Sequence, residues 1–157
     1  MTEDQLAALR ADIAADPALA AQPMTSDGAW AIAEAYNTVV GRAVGPRVVN
    51  ARTVLAELGM AGAVALDKLE AAGASNAAVK WAVRFLTGDG LDVGHPVSQA
   101  MLDQLAAGGA LTTAEAASLK GLALQPQTRA EALLAPWRGQ VRYQDIEQAQ
   151  ALQSEVI

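Results

Sequence analysis

The sequence predicts a mainly α-helical protein, a compact bundle of seven or eight short helices with a few very short extended segments or a minimal β-sheet. Three observations carry this reading. Hydrophobic residues make up 52% of the 157 residues but aromatics only 4%, because the apolar share is dominated by Ala, a strong helix former with little side chain to pack. Apolar residues recur at helical spacing along most of the chain. Finally, Ser/Thr-x-x-Glu/Gln boxes, in which a side chain at each end satisfies an orphan backbone N–H, mark helix starts at Thr2–Gln5, Thr112–Glu115 and Thr128–Glu131.

The elements follow in order. After the Thr2 box, Leu6, Leu9 and Ile13 share one helical face until Asp16-Pro17 ends the pattern. Ser26 or Asp27 caps a second helix carrying Ile32, Tyr36, Val39 and Val40 and closed by Gly41. The turn-rich "GRAVGP" at 41–46 leads to "RVV", a short extended piece. Asn50 then caps "ARTVLAELG", which Gly59 stops, and "AGAVALDKLEAAG" at 61–73 forms a further helix. Asn76 caps "AAVKWAVRFLTG", where Val79, Ala82, Val83 and Leu86 make one stripe and Trp81 and Phe85 a second. Apolar surface over most of a circumference predicts a central helix with Trp81 in the core.

The turn "TGDG" at 87–90 hands over to extended "LDV" and to a helix with Pro96 in its first turn. The two later boxes open helices at 113–123 and 129–135, separated by "LQPQ". The chain then offers extended "VRY" and a last helix with Ile146, Ala149 and Leu152 on one face. Composition marks no domain boundary, so residues 1–157 read as a single helical domain, with 126–157 as a partner-contacting C-terminal extension.

Charge and residue content narrow the function. The net charge is −6, and the eleven Lys and Arg are scattered from Arg10 to Arg142, so no segment offers the basic footprint a phosphate backbone needs, and no direct nucleic-acid binding is expected. The absence of cysteine excludes disulfides, thiolate-held zinc and a thiol nucleophile. The acidic, periodic amino terminus does not read as a secretion signal. The longest small-and-apolar run, "GMAGAVAL" at 59–66, is far short of the roughly 20 residues a membrane span needs. A soluble chain, made in the cytoplasm and with no membrane partner, is the expectation.

No catalytic, cofactor-binding or metal-binding residue is predicted, and the chain reads as a non-enzyme. The only histidine, His95, has no ligand partners at a recognisable spacing and is expected to cap a helix or face solvent. "TGDGLDVG" at 87–94 alternates oxygen-bearing side chains with glycines as a calcium loop does, but lacks the bidentate Glu such a loop ends on. The serines lie in no nucleophile-elbow context. Of the three tryptophans, Trp137 in "APWRGQ" suits packing on a neighbouring subunit as well as on its own domain, since Trp and Arg are favoured interface anchors. The predicted interface is therefore Trp137, Arg138, Val141, Arg142, Tyr143 and Ile146, where an extended edge could accept a partner's strand.

Two terminal segments carry a resemblance. "LRADIAADPA" at 9–18 has a helix ending in a "DP" step, while "LTTAEAASLKGLALQPQTRAEALL" is followed by "VRY" at 141–143 and "DIEQA" at 145–149. This arrangement resembles a group of small Ala-rich proteins encoded among the structural genes of tailed bacteriophages, which share the "DP" step, a Thr/Ser-Arg-Ala-Glu step, a Val-containing strand and a final helix. The sequence departs from the group at "ALLAPWRGQ", 132–140, where a Leu-Phe-Gly or Leu-Trp-Gly step is more usual. The resemblance implies a virion component of the tail or head–tail junction, one copy in a ring or cluster. Its partners would be other virion proteins and copies of itself, and its location the host cytoplasm before assembly. It implies no catalytic residues. A phage assembly chaperone or a bacterial helical regulator is the alternative reading.

Overall fold

The computed structural model describes residues 1–152. The chain is mainly helical, with nine helices and two two-stranded sheets among the described residues. It divides into two compact units, one of residues 1–41 and 126–157 and one of residues 42–125. The sequence reading drew one domain. The two units have separate buried clusters, a division invisible to composition because Ala-rich helices build both.

The first unit holds α1 (Glu3–Ala15), α2 (Pro17–Ala20), α3 (Ser26–Asn37), α8 (Arg129–Leu133) and α9 (Tyr143–Ala151). The α1 stripe is buried as its spacing requires, through Leu6, Leu9 and Ile13. These residues meet Ala29, Ile32, Ala33 and Tyr36 of α3 and Ala130, Leu134, Val141, Ile146 and Ala149 from the far end of the chain. α9 packs on both α1 and α3. Residues 126–152 are thus part of a core and not an extension from one, because the apolar face of α1 and α3 has no other cover within the unit.

The second unit holds β2 (Val48–Val49), α4 (Ala51–Gly73), α5 (Ala77–Thr87), β3 (Leu91–Asp92), α6 (Pro96–Ala107) and α7 (Thr113–Gly121). Its core gathers Val49, Val54, Leu69, Val79, Leu86, Val93, Leu102, Leu105, Leu111 and Leu119. The "RVV" and "LDV" pieces pair antiparallel, Val48 opposite Asp92 and Val49 opposite Leu91. Asp92 ties the pair down, its Oδ1 accepting from the N–H groups of Arg47 and Gly94, both at 2.9 Å. α4 is interrupted where the sequence places a stop: Gly59 has φ 57° and ψ −133°, a conformation side chains rarely adopt, so the helix breaks there and resumes.

β1 (Val39–Val44) pairs with β4 (Leu124–Thr128). Both were read otherwise, β1 as the end of the second helix plus a turn and β4 as the "LQPQ" linker. Helix α3 ends at Asn37 because β-branched Thr38, Val39 and Val40 follow in succession, a run that suits a strand better than a helix. Pro126 is tolerated in β4 because each strand of a two-stranded sheet is an edge strand.

The caps follow the sequence closely. All three boxes are closed in both directions, with Thr112 N–H donating to Glu115 Oε2 at 2.7 Å and Glu115 N–H to Thr112 Oγ1 at 3.2 Å. Asn50 and Asn76 cap α4 and α5, while α3 is capped by Thr25, one residue before Ser26 and two before Asp27, the two candidates in the sequence. His95 is exposed and caps α6, its Nδ1 accepting from the Val97 N–H at 3.2 Å.

Candidate functional site

Of the six predicted interface residues, Val141 (2% exposed) and Ile146 (0%) lie inside the first unit's core. Trp137 is partly buried against that core. Arg138, Arg142 and Tyr143 are exposed, with Arg138 Nη1 3.6 Å from Glu131. The "VRY" piece offers no free edge at Val141. Asn37 occupies it, its Nδ2 donating to the Val141 carbonyl at 2.8 Å and its Oδ1 accepting from the Val141 N–H at 2.9 Å. A side-chain amide thus does what a partner strand was expected to do, because the Asn amide sets an N–H donor beside a C=O acceptor, as a peptide strand does.

The most concentrated polar arrangement in this unit is a node around Arg129. Its Nη1 donates to Asp16 Oδ2 and its Nη2 to Asp12 Oδ2, both at 2.8 Å. Tyr36 OH donates to that same Asp12 oxygen at 2.7 Å, and the guanidinium lies 5.1 Å from the centroid of the Tyr36 ring. The node is built by local devices. Asp12 and Asp16 stand four residues apart at the end of α1, so their side chains share one side. Asp16 also caps α2, its Oδ1 accepting from the Ala18 N–H at 3.0 Å. Arg129 is the first residue of α8 because the Thr128 box starts the helix there.

Electrostatics make the node self-consistent. The hydrogen bond from Arg129, followed by that from Ala18 N–H, holds the Asp16 carboxyl below its ordinary value of 3.8. Burial first, and then the bond to Asp12, pushes the Tyr36 hydroxyl far up, so it stays a donor. The bond to Asp16 first and that to Asp12 next hold Arg129 more firmly protonated against the opposing effect of burial. The arrangement fastens α1, α3 and α8 to one another. Among the described residues no three Asp, Glu or His come together in a way that could hold a metal ion.

Two exposed aromatic surfaces stand out among the described residues. On the outer side of α3, Asp27, Trp30 and Glu34 recur at i, i+3 and i+7, all exposed, beside a groove lined by Ala33, Val141, Arg142 and Tyr143. On α5, Trp81 is 55% exposed and Phe85 48%, flanked by Lys80 and Arg84. This corrects the placing of Trp81 in the core. α5 buries only the stripe Val79, Ala82 and Leu86 and turns its aromatic stripe outward, where Arg84 lies 4.9 Å from the Trp81 ring centroid. Apolar residues all round a helix gave the wrong signal because the second stripe was flanked by two cations, the mark of a solvent-facing or partner-facing side.

Comparison with known proteins matches no family model, no curated protein and no solved structure. The functional reading therefore rests on the motifs and on this geometry.

Proposed function

We propose that this chain is a structural component of a tailed-phage virion, in the tail or at the head–tail junction, acting by protein–protein assembly without catalysis. The observation that carries the reading is the meeting of the two terminal motifs: Arg129 of "TRAE" is hydrogen-bonded to Asp16 of "DP", 113 residues away. The steps on which the resemblance to phage structural proteins rests thus specify one folding unit together, instead of being two unrelated Ala-rich fragments. A small helical body that spends its polar groups on fixing its own helices, and leaves Trp and Tyr side chains outside, suits a part that works by contact. Its partners would be other virion proteins and further copies of itself, met in the host cytoplasm before assembly. Among the described residues no helix is long and apolar enough to cross a membrane.

The test is mass spectrometry of purified particles from the phage encoding the chain. Recovery at a constant ratio to portal and tail proteins is the expected result. If portal and tail proteins are recovered and this chain is not, the reading fails and the assembly-chaperone or regulator alternative takes its place.

A further inference from the structure

The two exposed aromatic surfaces differ in the sign of their charge. The residues of the first unit include four Lys and Arg against ten Asp and Glu, the whole of the chain's −6, whereas residues 42–125 carry seven of each. On α3 the stripe Asp27–Trp30–Glu34 presents two carboxylates with no cationic partner among the described residues, on either side of a Trp that is 59% exposed. Arg142 also borders the groove, so its acidic side is the α3 side. On α5, Lys80 and Arg84 have no carboxylate partner among the described residues, and they flank Trp81 and Phe85.

We propose that copies of this chain associate head to tail, the α5 face of one copy (Lys80, Trp81, Arg84, Phe85) seating on the α3 stripe (Asp27, Trp30, Glu34) and Tyr143 of the next. Charge selects the occupant. Two α5 faces brought together would oppose four cations, and two α3 stripes four carboxylates, so pairing of like faces is repelled while unlike faces attract. Every copy carries both halves, which makes the contact heterologous and lets it propagate into a ring or a filament. Four half-exposed aromatic side chains, two from each copy, supply on the order of 400 Å², less than the ~1,600 Å² total of a typical stable interface. A single contact is therefore weak, and closure of a ring is what would make the assembly lasting. The inference holds whether or not the chain enters a virion.

Sedimentation of the full chain from about 10 μM to about 1 mM, at low and high salt, tests it. The expected mass rises with concentration above the 16.1 kDa of one copy, and rises less at high salt. The pair Lys80→Glu with Arg84→Glu, and separately the pair Asp27→Lys with Glu34→Lys, should each weaken association by at least about tenfold. Mixing the two variants in equal amounts should restore it, because every α5 face then finds a groove of opposite sign. Far-UV circular dichroism establishes that the variants fold; the milder Arg84→Gln and Glu34→Gln serve if they do not, with a smaller loss expected from each. A wild-type chain that stays at 16.1 kDa throughout, variants that associate as wild type does, or a mixture no better than its components would each overturn the proposal.

Discussion

The unit of residues 1–41 and 126–152 and the unit of residues 42–125 are both helical bodies around an apolar cluster, yet their helices are held by different means. The second unit is one continuous stretch of chain. Of its ion pairs, Lys68 with Glu115 joins α4 to α7 over 47 residues, Lys120 with Asp103 joins α6 to α7 over 17, and Arg47, just ahead of β2, reaches Glu57 of α4 over 10. The first unit must close the chain over more than a hundred residues, a loop that costs entropy before any contact repays it. There the cation is a bidentate Arg, Arg129, bound to two carboxylates and lying over a buried Tyr. Forked geometry carries direction as well as attraction, so α8 arrives in one register. The difference teaches that the discontinuous unit gathers its longest-range polar contacts on closure, through one Arg shared by two carboxylates, while the continuous one spreads its ion pairs over separate joints between helices.

The largest expected effect breaks the first unit. Ile146→Ala removes a fully buried side chain of α9 where it meets α1 and α3 and should cost about 2–5 kcal/mol. Hydrogen exchange should show the loss in residues 1–41 and 126–152 while α4 and α5 keep their protection. Uniform loss across both units would mean they do not unfold separately.

Acid should loosen both units, through different groups. Asp16 is held down chiefly by Arg129, and Glu115 chiefly by Lys68 and then by the Thr112 N–H, below ordinary values of 3.8 and 4.5. In each case the unfolded chain takes up protons first, so the stabilisation is fully present above about pH 5 and is lost as pH falls through the lowered folded values. Asp16→Asn should flatten this acid dependence for the first unit only, and Lys68→Met for the second only, read by urea unfolding between pH 2 and 6.

Thr112→Ala in the second unit and Thr128→Ala in the first should each cost about 1 kcal/mol through a lost cap. Equal values would show that capping is indifferent to how a unit is closed. A larger loss for Thr128→Ala, measured by thermal melts, would show that its box also positions Arg129.

Trp81→Ala should be the mildest change, under about 1 kcal/mol, since the side chain is 55% exposed and surface substitutions rarely cost more. A cost of several kcal/mol would return α5 to the centre of its unit.

The helix starts were legible in the sequence because a cap is a contract between residues two or three apart. Thr2, Asn50, Asn76, Thr112 and Thr128 sit at helix starts as their spacing requires, Gly59 breaks α4, and the α1 stripe is buried. The mainly helical class follows from those starts and from the Ala content. Of the exposed surfaces, only the fold brings Trp30 and Glu34 of α3 to the groove that Tyr143 also lines. The Asp12–Asp16 pair at i, i+4 and the Arg of "TRAE" were both written in the chain, and nothing local joins residues 117 apart. The same holds for the pairing of β1 with β4, for the capture of Val141 by Asn37, and for which stripe of α5 turns inward. Local hydrogen bonds and backbone preference act within a few residues and can be read in order. Burial and long-range pairing depend on which distant segment arrives, and only the folded chain decides that.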